Sequence, residues 1–83
     1  ADTASGVAAV AMGAGSHAGG STSTALGAQV RASGDYSLAL GNLANTNGYA
    51  GAIVIGDRST TSYVTATAAN QFVARAAGGY VLY

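Results

Sequence analysis

The residue types of a nucleophilic triad are present, but their pattern argues against catalysis. The chain has one histidine, His17, together with three aspartates and eight serines. A triad needs a nucleophile, a base and an orienting acid within hydrogen-bond reach, and His17, Asp35 and a serine meet that requirement by type alone. However, Arg31 and Asn45 occupy the place of His17 one and two repeats later in the sequence. Such variation is typical of a surface position, so we expect an exposed His17 and no enzyme activity.

Metal and cofactor chemistry has equally little support. The three aspartates and His17 lie far apart in the sequence, and none belongs to a calcium loop or a His/Cys cluster. The stretch Gly13-Ala14-Gly15 lacks the Lys-Ser/Thr ending of a phosphate loop and recurs with the repeat. With no cysteine there is no thiol chemistry. We predict no metal and no cofactor.

Composition limits the size of the core and the kind of partner. Ala and Gly supply 33 of the 83 residues, whereas Leu, Ile, Val and Phe supply 15. A chain this short with so little apolar bulk needs further support, which favours oligomerisation. Zero net charge and the absence of lysine argue against nucleic-acid binding, and no apolar stretch is long enough for membrane insertion. The start at Ala1 indicates a mature product or a piece of a longer protein.

One short phrase recurs through the first two thirds of the chain. Ser37-Leu38-Ala39-Leu40-Gly41 is one copy, and the copies close at intervals of 14, 14 and 15 on Gly13, Gly27, Gly41 and Gly56. A second glycine series runs halfway between them: Gly6, Gly20, Gly34 and Gly48. A period this short predicts a solenoid whose coils each contain two short strands and two tight turns. We expect glycine at the turns because positive φ suits it, and a one-residue bulge or a widened turn at Asn47–Gly51.

Side chains within each copy alternate between large and small. Leu38 and Leu40 share one face, while Ser37, Ala39 and Gly41 share the other. Period-two alternation predicts a strand. We expect the larger side chains to fill the interior of the coil and the small ones to face a neighbouring surface.

The repeat ends at Gly56, so we divide the chain into β-roll repeats at 1–56 and a C-terminal module at 57–83. Residues 57–62 are polar and predict a connection, and residues 63–67 alternate as a strand would. Two further apolar runs at 72–76 and 80–83 flank Ala77-Gly78-Gly79 and predict a β-hairpin. A helix over 68–77 is the alternative, because Ala, Gln and Arg favour helices.

The repeated phrase resembles the head repeats of trimeric autotransporter adhesins. Ser37 to Gly41 is the nearest copy, Ser23 to Gly27 and Ala9 to Gly13 follow with substitutions, and Ala52 to Gly56 departs furthest because Val54 replaces alanine. The resemblance covers residues 4 to 56. It implies an all-β, left-handed parallel β-roll, a homotrimer, and an extracellular position on a bacterial surface, with the membrane anchor supplied by segments outside this chain.

The segment from Asn70 to Tyr83 is similar to sequences that follow such heads in surface proteins and phage fibres. Because the repeats resemble adhesin heads, a trimeric adhesin head that mediates attachment is the leading hypothesis. A phage tail fibre or spike segment on the virion and an extracellular filament subunit are the alternatives. An ice-binding solenoid has only Thr65 and Thr67 in its favour.

Two sets of residues are candidates for ligand contact. His17, Arg31 and Asn45 stand at the same position after successive phrase-ending glycines, so stacked strands would align them in a polar ladder about 4.8 Å apart. A ladder could bind a repetitive ligand such as a glycan or an extracellular-matrix protein, or it could be a solvated face. Tyr36 and Tyr49 near the turns could stack on sugars, or could cover an apolar edge.

Overall fold

In residues 2–83, ten short strands form two parallel sheets that face each other across a narrow interior. A computed structural model describes residues 2–83, and no helix is found in that part of the chain. The short-strand sheet has the order β1-β3-β5-β7-β9, with strands β1 Thr3–Ala4, β3 His17–Ala18, β5 Arg31–Ala32, β7 Ala44–Asn45 and β9 Val64–Thr65. The long-strand sheet has the order β10-β8-β6-β4-β2, with strands β2 Val10–Ala14, β4 Thr24–Ala28, β6 Leu38–Asn42, β8 Ile53–Gly56 and β10 Phe72–Arg75.

The order of the strands is that of a parallel β-solenoid with one coil for each sequence repeat. Each coil contributes one strand to each sheet. Turn 1 leads from a short strand to the next long strand, and turn 2 leads from a long strand to the next short strand. The register advances by one repeat at every step, since Ala11 pairs with Ala25 and Ala25 pairs with Ala39. The predicted all-β solenoid is confirmed.

The expected orientation of the repeated phrase is wrong. The small side chains point inward, because Ala25, Ala39 and Val54 are fully buried. The larger ones lie on the outer face of the long-strand sheet, where Met12 is 61% exposed and Ile55 is 36% exposed. The physical reason is the thinness of the coil, because alanine side chains from both sheets and serine side chains from the turns already fill its interior.

The buried polar side chains of this interior all find partners within the described chain. Ser23 Oγ and Ser37 Oγ each donate at 2.6 Å to the carbonyl three residues earlier, in turn 1. Thr46 Oγ1 donates to Ser37 Oγ at 3.1 Å and accepts from the backbone N–H of Ser33 at 3.0 Å. Serine and threonine therefore serve as small core residues that also fix the turns.

Positive φ at a turn, the reason that we expected for both glycine series, holds at Gly48, whose φ value is 77°, but not at the other members. Gly13 and Gly27 have φ values of 122° and 128°, but they lie within β2 and β4. Gly34 has no positive φ. A Cβ on Gly34 would overlap the backbone carbonyl of Tyr49 in the next coil, so this position is glycine because successive backbones touch there. The same overlap occurs at Gly6, Gly20, Gly13, Gly27 and Gly41, but not at Gly48. The interval from Gly41 to Gly56 is one residue longer than the others, and the extra residue lies in the turn at Asn47 and Gly48. As a result, Tyr49 and not Gly48 lies next to Gly34 in the following coil.

Positive φ at the turns falls mostly on residues other than glycine. Thr22 and Tyr36 in turn 1 have φ values of 54° and 58°, and Gln29 and Leu43 in turn 2 have values of 55° and 53°. This conformation costs roughly 1–2 kcal/mol for a residue with a Cβ. The turns are therefore imposed by the stacking of the coils and not by local preference.

The predicted C-terminal hairpin is also wrong. β10 forms where the sequence indicated a strand, but its partner is β8, to which it runs parallel, with Phe72 opposite Ile53 and Arg75 opposite Gly56. Residues 80–83 contain no strand, and no helix forms over 68–77. β10 extends the solenoid by a further coil, which outcompetes a two-stranded hairpin because it continues an existing sheet.

A matched pair of glycine substitutions tests the close approach of the coils. We expect Gly34→Ala to lower the free energy of unfolding by about 1–3 kcal/mol, the usual cost of overpacking. Gly78→Ala is the control, because a Cβ there meets no atom within 4 Å and the φ value is ordinary; it should change stability by no more than about 0.5–1 kcal/mol. Thermal unfolding at one fixed protein concentration measures both, and equal melting temperatures would contradict the account.

Candidate functional site

The polar ladder forms on the outer face of the short-strand sheet. Each of its strands has two residues, one directed inward, such as Ala18 and Ala32, and one directed outward. In the observed register His17 lies opposite Arg31, and Arg31 lies opposite Asn45. Thr3 and Thr65 continue the same row at its two ends. The predicted alignment is therefore present, and it is two positions longer than expected.

The two tyrosines lie apart from the ladder. Tyr36 is in turn 1 and is 72% exposed. Tyr49 is in turn 1 of the following coil and is more than one third exposed. Both are at the opposite edge of the short-strand sheet from turn 2, where the rest of the site is found. The structure does not bring them together with the groove described below.

Asp35, the acid of the hypothetical triad, is engaged elsewhere. Its Oδ1 accepts a hydrogen bond of 2.9 Å from the backbone N–H of Ser21 in turn 1. No hydrogen bond within residues 2–83 joins it to His17, whose side chain is exposed on the ladder. Within the same residues no three His, Asp, Glu or Cys side chains converge, and no helix is long and apolar enough to cross a membrane.

The polar connection at residues 57–62 is an enlarged turn 2, held in place by Arg75. Arg75 Nε donates to Asp57 Oδ1 at 3.0 Å and Nη2 donates to the Asp57 carbonyl at 2.7 Å, at the start of the loop. Nη1 donates to the Ser62 carbonyl at 2.6 Å, at its end. A further bond from Nη2 reaches the carbonyl of Asn42 on β6 at 3.2 Å. One guanidinium thus closes the loop and fixes it to the sheet.

Asp57 is the acceptor at the centre of this arrangement. Its carboxylate accepts from Ser59 Oγ at 2.6 Å, from the backbone N–H of Ala77 at 2.7 Å and from Arg75. Hydrogen bonding by Ser59, then by Ala77, and the neighbouring Arg75 together hold the pKa of Asp57 well below its usual value of 3.8.

The loop forms one wall of an open groove of about 640 Å³ at the turn 2 edge of the ladder. Polar side chains from the ladder, the turn and the loop line it together with small or apolar residues: Gly15, Ser16, His17, Gln29, Arg31, Leu43, Thr61 and Tyr63. Arg31 reaches across β7, and its guanidinium carbon lies 5.6 Å from the centre of the Tyr63 ring. This distance is that of a cation–π contact.

Sequence reasoning found two of the groove residues, His17 and Arg31, and missed the others. Tyr63 follows a polar loop whose folded position no repeat predicts. Gln29 stands in a column with Gly15 and Leu43, which differ too much in type to signal a shared site. The pairing of Asp57 with Arg75 also depends on the fold of the loop, so nothing in the repeat could have signalled it.

The Asp57 arrangement predicts a pH-dependent stability. Because the folded-state pKa of Asp57 is depressed, its carboxylate stabilises the fold above the unfolded pKa of about 3.8, and that contribution is lost as the pH falls toward the lower folded pKa. We expect Asp57→Asn to lower the melting temperature at pH 7. The difference in melting temperature between this variant and the wild type should become smaller below pH 3.8. Asp35→Asn, which removes a charge that has no arginine partner and keeps the Oδ1 acceptor, should cost less. A gap that is the same at every pH would contradict this assignment.

Comparison with known proteins identifies the repeat. A family model described as the YadA head domain repeat matches the chain in two copies, at residues 4–29 and 32–59. No curated protein and no solved structure matches it.

Proposed function

This chain belongs to the family of the YadA head domain repeat, and from that premise we propose that it is a trimeric, extracellular attachment module whose polar ladder contacts the ligand. Members of this family are structural modules of the adhesin type. The observation that carries the proposal is the division of the roll into two outer faces. One is a continuous, mainly apolar sheet, and the other is a row of polar side chains in register.

The apolar face supports a homotrimer. Two rows of side chains run across all five long strands in register, and most are large and apolar: Val10, Thr24, Leu38, Ile53 and Phe72 in one row, and Met12, Leu26, Leu40, Ile55 and Ala74 in the other. No charged residue occurs in either row. A continuous apolar surface of this extent marks an association face, and the interior of the coil is too narrow to take these side chains.

The ladder face supports attachment. It lies on the opposite side of the roll from the apolar face, so three chains joined through their long-strand sheets would each present a ladder to solvent. Three equal sites gain avidity through effective concentration, so each contact can be weak. We propose a glycan or an extracellular-matrix protein as the partner. A phage fibre segment would use the same two faces, with a receptor in place of the host matrix.

A filament subunit is the second candidate, favoured by the ends of the roll. The edge strands β1 and β2 at one end, and β9 and β10 at the other, each pair on one side only within the described chain. Open parallel edges are templates for end-to-end addition of further copies. Electron microscopy of the purified chain distinguishes the candidates, because long fibres support a filament and discrete particles support a head.

Assembly is tested by one charge on the apolar face. We expect sedimentation of the wild type to give about three times the chain mass of 7.9 kDa. Ile55→Asp should shift the species to a single chain, because an unpaired buried carboxylate costs several kcal/mol. Val7→Asp is the control, since Val7 is 78% exposed and outside the two rows; it should leave the mass unchanged. A wild type that stays monomeric on concentration would rule out the trimer.

Attachment is tested on an array of glycans and matrix proteins. We expect a triple variant with alanine at His17, Arg31 and Asn45 to bind at least about tenfold more weakly. The effect is large because every chain of the trimer then loses its ladder contacts with the ligand. A double variant with alanine at Tyr36 and Tyr49 is the control and should bind normally. If the result is reversed, turn 1 and not the ladder is the contact surface.

A further inference from the structure

The groove beside turn 2 differs from the rest of the ladder, because a segment that does not repeat in the sequence forms one of its walls. The ladder and the turns repeat, but the loop at 57–62 and Tyr63 do not. Beside this loop, Arg31 of the ladder remains exposed but contacts the Tyr63 ring. We propose that this groove binds a carboxylate-bearing sugar residue, with Arg31 binding the carboxylate and the neighbouring polar side chains binding the hydroxyl groups. The proposal rests on the attachment function above and names its ligand class.

The charge of the groove is the first argument. Arg31 is the one residue lining it with a permanent charge, and none of its lining residues is acidic. Within residues 2–83 the ion pair is between Arg75 and Asp57, so Arg31 has no carboxylate partner. The two arginines therefore have different roles: Arg75 makes four hydrogen bonds inside the protein, and Arg31 keeps its donors for solvent or a ligand.

Pre-positioning is the second argument. A free arginine loses considerable side-chain entropy when it binds a ligand. Tyr63 reduces that loss, because the cation–π contact at 5.6 Å holds the guanidinium beside the groove. A planar guanidinium with two parallel N–H groups matches the geometry of a carboxylate. A polyanion such as a nucleic acid would need several cations in a row, and the ladder has one permanent cation.

The remaining groups favour a sugar over an acidic peptide. The side chains of His17, Gln29, Thr61 and Tyr63 make no hydrogen bond to another protein group within residues 2–83. They surround Arg31 with amide, imidazole and hydroxyl groups, which are the partners that sugar hydroxyls need. Leu43 is the one large aliphatic side chain in the groove, so an apolar peptide side chain would find little to pack against. The volume of about 640 Å³ accommodates one or two sugar rings.

The experiment is an NMR titration of the intact ¹⁵N-labelled chain with three matched probes: methyl β-D-glucuronide, the neutral methyl β-D-glucoside, and glucose 6-sulfate. We expect the glucuronide to shift the amide signals of Arg31, Gln29 and Tyr63, with an affinity at least about tenfold above that of the glucoside. The sulfate ester tests whether any anion suffices. Equal affinity for the glucuronide and the glucoside would overturn the proposal, as would equal affinity for the sulfate, since that would mean non-selective anion binding. N-acetylaspartate methylamide is the peptide probe, and preference for it over the glucuronide would also overturn the proposal.

Variants assign the effect to the groove. Arg31→Ala should reduce glucuronide affinity about tenfold or more, and Arg31→Lys should recover only part of it, because lysine keeps the charge without the planar fork. Arg58→Ala is the matched control: Arg58 is in the same loop and exposed but does not line the groove, so affinity should not change. Equal losses from the two alanine variants would contradict the site.

The same measurements separate this proposal from the attachment function on which it rests. If the glucuronide fails to bind while the triple ladder variant still abolishes attachment on the array, the attachment function stands and the carboxylate site is wrong. If the glucuronide binds but the chain attaches to no surface, the site stands and the attachment function is wrong.

Discussion

The close stacking of successive backbones is the constraint on which the rest of this structure depends. At Gly34 a single Cβ would overlap the carbonyl of Tyr49 in the coil above, and the same is true at Gly6 and Gly20 against their own neighbours. Between the sheets, alanine and valine side chains such as Ala39 and Val54 already exclude solvent. A coil this thin has no interior space for leucine or isoleucine. The larger side chains must therefore lie on the outer face, and this exposed apolar surface is the basis of the proposed trimer.

The close stacking of the backbones also determines which positions can vary in sequence from one coil to the next. Positions inside the coil and at the backbone contacts are restricted to Gly, Ala, Ser and a few residues of similar size, so they cannot carry specificity. The outer face of the short-strand sheet is free of this restriction, and its occupants change from His17 to Arg31 to Asn45 along one row. Turn 2 can also lengthen without disturbing either sheet, as the loop closed by Arg75 shows. The groove lies where the variable ladder side chains adjoin the lengthened turn 2, and we therefore expect recognition there.

Most of the architecture follows from the sequence, since a short fixed period with alternating side chains requires parallel strands in register. Leu38 and Leu40 are predicted on the wrong side because hydrophobicity is taken as the measure of burial, whereas here volume decides. The hairpin is predicted wrongly because residues 72–76 are compared with their neighbours in sequence, although their partner, β8, lies one coil earlier. The ladder residues such as Arg31 can be aligned because they share the repeat. Tyr63 and the other groove residues cannot, because their contacts depend on how a non-repeating loop folds.

The most direct test of the outward orientation is an isotope-filtered NOE experiment on assemblies mixed from ¹³C-labelled and unlabelled chains. The account predicts intermolecular NOEs to the methyl groups of Leu40 and Ile55, and none to those of Ala39 and Val54, which lie inside the coil. Intermolecular NOEs to Ala39 with none to Leu40 would show that the small side chains form the contact between chains, and would contradict the central claim.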